Sequence, residues 1–263
     1  MTDTTTIQQV VSHLDATFRP EVQEDYDNSG FLLGHSDTAC TGALVALDLT
    51  ATVVEEAIEL GFNLIVTHHP FIFSGLKRIT DQSASGRLVL TLAEHGISVY
   101  AAHTNLDNLP WGVSGALAQR LGLQDCRVLS PLGGDTGAGT LGSLPSPMEA
   151  DRFLRKVKEV TGLPTVRCSQ HSPGQLVQRI ALCGGSGSFL IGNAIDCGAD
   201  IYLTADIKYH DFERATSRLI LADIGHYESE QFAKEIISRS ISEKFSNFAC
   251  RISAKQEGIV YYI

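Results

Sequence analysis

Ala57-Ile58-Glu59-Leu60-Gly61-Phe62-Asn63-Leu64-Ile65-Val66-Thr67-His68-His69-Pro70 is the stretch that decides the fold. A short apolar run closed by breakers reads as a buried strand, so Leu64 to Thr67 is predicted to be one. The residues before it, from a capping Thr50 to Gly61, carry Val53, Val54, Ala57, Ile58 and Leu60 at helical spacing. A helix therefore turns at a glycine into a buried strand, and the strand ends in two histidines. Histidine is the commonest protein metal ligand. A bare pair is equally read as one exposed ring and one satisfied core ring, so the rest of the chain must decide.

The same pattern returns as Ala194-Ile195-Asp196-Cys197-Gly198-Ala199-Asp200-Ile201-Tyr202-Leu203-Thr204. Each copy is followed by a further helix and a further apolar strand. The first of these strands runs into His103 and Asp107, the second into His226 and Glu230, with the same separation in both. Two matches in the same order imply an α/β protein of two similar units related by an internal repeat. Strand–helix alternation in each predicts a covered, largely parallel sheet.

Working outward, Thr6 to Phe18 reads as an amphipathic helix, and Phe31–Gly34 and Gly42–Leu49 read as strands. Around Leu129 to Thr140 glycine, proline and small residues take over, which we read as a loop or linker. The boundary then divides a first α/β domain, residues 1–128, from a second, residues 129–263. A strand near Gly139–Leu144, a helix over Pro147–Thr161, a strand near Thr165–Cys168 and a strand over Arg179–Cys183 follow. Gly184-Gly185-Ser186-Gly187 fits either a tight turn into a helix or a weak phosphate loop. The closing segment, Gly258–Ile263, reads as a strand that could pair with either domain, the first included.

Composition narrows the function classes. The chain has 263 residues, 43% of them apolar, and a formal net charge of −10 from 30 acidic and 20 basic residues. That balance argues against a nucleic-acid binder tracking phosphates with a basic face, but not against a small anionic substrate. The six cysteines are scattered without a C-x-x-C pair, as expected for reduced thiols in a cytoplasmic protein. The first residues have no signal-peptide pattern, and no apolar stretch is long enough to span a membrane.

Ligands in open α/β sheets belong at the carboxyl ends of strands. Three such ends carry His68–His69, His103 with Asp107, and His226 with Glu230. Adjacent side chains on a strand point to opposite faces, so His68 and His69 are expected to diverge, as two neighbouring ions would require. Glu230 would be a bridging carboxylate, one helical turn from His226. Neutral imidazoles with two carboxylates leave positive charge on two divalent ions, which favours hydroxide and an anionic substrate. Mixed nitrogen and oxygen donors suit zinc, iron, manganese, cobalt or nickel, and the absence of thiolates argues against a closed structural zinc site. Each residue has a plainer reading: His103 as a hydrogen-bonding or proton-transfer group outside the metal, Asp107 as a helix cap, Glu230 as a first-turn carboxylate. Lys77 and Arg78 could hold a phosphate or simply face solvent. Asp206 and His210 are read as supporting residues, and His13, His35, His95 and His171 as structural or exposed.

Thr67–Lys77, Ala102–Asp107, Thr204–His210 and Gly225–Glu230 together resemble the Nif-three-like family, also labelled GTP cyclohydrolase 1 type 2 homologs. The resemblance runs over nearly the whole chain. It implies two similar α/β domains, a dinuclear metal site between them, and a homohexameric ring. Carried over by motif, the ligands would be His68, His69, Asp107, His226 and Glu230, with His103 close to the metals. The family usually has tryptophan where Tyr26 stands before Asp27-Asn28, an aliphatic residue at Ser29, and glycine at Ala205. The activity implied is a metal-dependent hydrolase that opens the ring of a purine nucleotide. The alternative is a non-enzymatic, metal-binding ring protein for regulation or partner recruitment.

Overall fold

The computed structural model describes residues 4–255 and 258–263. The chain forms two compact units: Met1–Leu106 with Ala233–Glu257, and Asp107–Phe232 with Gly258–Ile263.

The first unit contains α1 (Ile7–Phe18), β1 (Gly30–Leu33), β2 (Gly42–Ala46), α2 (Ala51–Leu60), β3 (Leu64–Thr67), α3 (Ala84–Glu94) and β4 (Ser98–Ala101). A single turn, α4 (Thr104–Asp107), leads out of it. The second unit runs through α5 (Val113–Arg120), β5 (Gln124–Gly133), β6 (Thr136–Glu149), α6 (Ala150–Thr161), β7 (Arg167–Cys168) and β8 (Leu176–Ser186). It continues with α7 (Ile191–Asp196), β9 (Ile201–Ala205), α8 (Tyr209–Ala215), β10 (Ile220–Asp223) and α9 (His226–Glu230). The chain then returns to the first unit as α10 (Ala233–Lys244) and β11 (Ala249–Ile252).

The first sheet has the order β1-β4-β3-β2-β11. Its four central and edge strands β4, β3, β2 and β11 are parallel, and β1 is antiparallel to β4. A parallel sheet must be covered on both faces, because each strand is apolar all round. Leu44, Ala46, Ile65 and Val99 pack with Val53, Val54 and Ala57 of α2 and Leu92 of α3. The opposite pleat carries Tyr100, fully buried, whose hydroxyl donates to Asp15 of α1 at 2.9 Å.

The second sheet, β5-β6-β8-β9-β10-β7, is mixed. Only β8, β9 and β10 are mutually parallel; β5, β6 and β7 pair antiparallel. The glycine-rich stretch read as a linker is instead the β5–β6 hairpin, turning at Gly134. The compact units therefore do not divide at residue 128, and each draws on a non-contiguous part of the chain. Gly258–Ile263 carries no regular strand and groups with the second unit, while β11, unforeseen from the sequence, pairs with β2 of the first.

The repeat is visible in the backbone. Gly61 and Gly198 both adopt φ +67, the left-handed conformation that favours glycine at a helix end. The amide of Phe62 donates to the Ala57 carbonyl at 2.9 Å, and that of Ala199 to the Ala194 carbonyl at 3.0 Å. Beyond the strands, Ala102 N–H bonds the Thr67 carbonyl at 2.9 Å and Ile224 N–H that of Thr204 at 2.8 Å. Among the described residues no helix is long and apolar enough to cross a membrane.

Candidate metal centre

At the carboxyl end of the first sheet, His68 and His69 follow β3 directly. Their amides extend the ladder toward β2, bonding the carbonyls of Ala46 and Leu47 at 3.2 and 2.9 Å. The Thr67 hydroxyl donates to the His69 carbonyl at 2.8 Å, turning the chain before Pro70. The turn breaks the strand alternation. Instead of diverging, the two rings lie 5.0 Å apart between centroids, and His103 stands 5.4 and 5.5 Å from them. The first unit thus gathers three imidazoles, with His68 fully buried.

Each ring is held by one nitrogen. His68 Nδ1 lies 2.7 Å from the Ala102 carbonyl, His69 Nδ1 2.7 Å from Asp48, and His103 Nδ1 2.7 Å from Asp27. A carbonyl or ionised carboxylate can only accept, so each Nδ1 carries a proton, and in the neutral ring Nε2 is the nitrogen left to bind. This is the arrangement that orients metal-binding histidines. Asp27 has a fully buried side chain and also accepts from the amides of Asn28 and Thr104 and the hydroxyls of Ser29 and Thr104. Burial alone would raise its pKa, but the bonds from His103 and Thr104 prevail and hold it well below the usual carboxylate range.

The second unit assembles a different set. His226 opens α9 and Glu230 closes it, so the two meet one turn apart, His226 Nε2 lying 3.0 Å from Glu230. His226 Nδ1 is 2.7 Å from Asp206, which sits just past β9. Burial works against the charged ring, but Glu230 and Asp206 outweigh it and raise the His226 pKa to about 9. Asp107, at the end of α4, faces the same surroundings as Glu230: after burial, these two carboxylates are the strongest influences raising the Cys183 thiol. Gly185, at φ +61, leaves the space that Glu230 fills; a Cβ there would come within 2.0 Å of its Oε1.

Asp206 therefore supports His226, as read from the sequence, while His210 is exposed and bonds Glu213 at 3.2 Å. Asp27 and Asp48 escaped sequence reasoning. Asp27 lies in a polar segment far from His103, and the only signal at Asp48 was a carboxylate closing an apolar run. Lys77 and Arg78 are exposed on the loop after β3.

The sequence profile of the Duf34/NIF3 (NGG1p interacting factor 3) family matches residues 5–257. The chain belongs to this family. Among its Duf34/NIF3 relatives, a Lactococcus lactis protein named GTP cyclohydrolase 1 type 2 homolog is 36% identical over 231 residues, covering 87% of this chain and 86% of the relative. The Schizosaccharomyces pombe protein NIF3 homolog is 30% identical over 246 residues, with 88% and 87% covered. A Staphylococcus aureus hypothetical protein of known crystal structure is 30% identical, superposing with a TM-score of 0.91 over 99% of this chain and 100% of that one. The crystal structure of a Bacillus cereus protein related to NIF3 shares the fold, with a TM-score of 0.92 at 22% identity and both chains fully covered.

Proposed function

We propose that the chain is a metal-dependent hydrolase whose centre holds two divalent ions through His68, His69, Asp107, His226 and Glu230. His68, His69 and Glu230 could together hold a metal ion. The observation that carries the reading is the tethering of His68, His69, His103 and His226 by Nδ1, to Ala102, Asp48, Asp27 and Asp206. Donors preset in this way cost little ordering when an ion arrives, and outer partners of this kind recur around metal-bound histidines. The nitrogen and oxygen donors fit zinc, iron, manganese, cobalt or nickel.

Divalent ions in such a site supply Lewis acidity toward water and toward a polar substrate bond. The chain's own residues do the rest. Glu230 and Asp107 balance cationic charge, while the Ala102 carbonyl, Asp48 and Asp27 orient the His68, His69 and His103 rings and Asp206 anchors His226. His103, anchored to Asp27, presents Nε2 for taking up and returning a proton. The names of the relatives point to opening of a purine nucleotide ring, with Lys77 and Arg78 available to its phosphates. A homohexameric ring and a cytoplasmic location complete the proposal.

Purified protein loaded with each candidate metal is incubated with GTP, and formate release is compared with that of a His68→Ala/Glu230→Ala variant. Formate above the variant's level supports the cyclohydrolase reading. Bound metal without formate overturns it in favour of a non-enzymatic metal-binding protein. Fewer than about one bound transition metal per chain overturns the dinuclear centre.

A further inference from the structure

Two aromatic side chains stand out beside the imidazoles of the first unit. Tyr26 is 62% exposed and Phe73 48% exposed. Single exposed aromatics are ordinary on protein surfaces. These two are paired, with ring centroids 6.3 Å apart at 46°, and Phe73 meets His103 edge-on at 6.2 Å and 79°.

Both rings sit on fixed mounts. Asn28 Nδ2 donates to the Ile72 carbonyl at 2.6 Å, joining the backbone beside Tyr26 to the backbone beside Phe73. Asp27, next to Tyr26, is locked by His103, Thr104 and Ser29. Phe71, two residues before Phe73, packs against the core formed by β2, β3, α2 and α3. An exposed aromatic surface with its backbone already ordered loses little freedom when a flat molecule covers it.

We propose that Tyr26 and Phe73 form a stacking platform for the planar nitrogen heterocycle of an anionic substrate, and so select for the ring next to His103. Offset and edge-on contacts reward a flat π-system. Lys77 and Arg78, exposed further along the loop that carries Phe73, offer cations for an anionic group on the same molecule. The assignment deepens the hydrolase reading, but ring binding is measured without turnover.

The probes are guanosine 5′-monophosphate and ribose 5-phosphate, titrated calorimetrically into the full, metal-loaded protein. The protein is expected to bind the nucleotide at least about tenfold more tightly than the ring-less sugar phosphate. Tyr26→Ala/Phe73→Ala should lose that preference by about ten- to hundredfold while its metal content stays unchanged. Tyr26→Phe should retain it. Proton spectra of the nucleotide should show the guanine H8 shifted upfield with the unaltered protein and not with Tyr26→Ala/Phe73→Ala. Equal affinity for the two probes, or a preference that survives in Tyr26→Ala and in the double variant, overturns the platform. Metal content is read separately, so a failed metal centre and a failed platform give different results.

Discussion

The carboxyl ends of the two sheets present different chemistry. The first gathers His68, His69 and His103, rings about 5 Å apart, with the Ala102 carbonyl, Asp48 and Asp27 on their Nδ1 atoms. The second sets a single imidazole, His226, between Asp206 and Glu230, with Asp107 adding charge nearby. One repeat thus presents three imidazoles, two of them tied to carboxylates, and the other presents one imidazole among three carboxylates. A duplicated helix–strand unit conserves where side chains emerge but leaves their chemistry free, because strand-end residues carry little of the packing.

The sharpest way to break this contrast is to remove one donor of each kind. His68→Ala with Glu230→Ala should abolish tight transition-metal binding after exhaustive dialysis. Elemental analysis showing undiminished metal would mean that neither unit supplies the donors assigned to it.

Next in size is the buried carboxylate behind His103. Asp27→Asn loses the acceptor for several donors and should cost about 2–4 kcal/mol in urea unfolding. The native pKa of Asp27 is depressed, so its contribution is present above the unfolded value of 3.8 and fades as pH falls through the native one. The gap between wild type and variant should therefore be full at pH 7 and shrink below about pH 4. A gap that grows in acid would contradict the assigned ionisation.

Smaller effects should follow from the ties on the outer nitrogens. Asp48→Asn and Asp206→Asn leave the donors in place but loosen their tautomers. Metal affinity should fall about ten- to hundredfold for each, measured by competition with a chelating dye. Unequal losses would show which unit depends more on its carboxylate ties.

The smallest change concerns a pair outside both ends. His171, bonded to Asp151 at 2.9 Å, has a raised pKa, chiefly through that bond. Its stabilisation should be present below about pH 6.5 and lost as pH rises through the higher native value. Because Asp151 is exposed, His171→Gln should lower stability by less than about 1 kcal/mol at pH 6, and by less still at pH 9. Any change in metal content there would blur the contrast between the two sheet ends.

Much of the fold was legible because helix stripes and buried strands are local patterns. Thr50 caps α2, Thr6 caps α1, and Leu64–Thr67 is the strand its composition announced. The strand near Gly139–Leu144 lies within β6, but β5 and the start of β6 were hidden by glycines and prolines that read as a loop or linker, and β11 by a strand of only four residues following a long helix. Alternation along a strand misjudged the histidine pair, because the chain turns immediately after Thr67.

By itself the sequence determined the class of the fold, the internal repeat, and the residue types at the three strand ends, since all of these are written in short-range spacing. Only the tertiary structure decided that the His68 and His69 rings converge on His103, that Asp27 and Asp48 anchor those rings, and that Tyr26 meets Phe73. Those contacts join residues far apart in the chain, and they depend on how loops close over a sheet rather than on any local period.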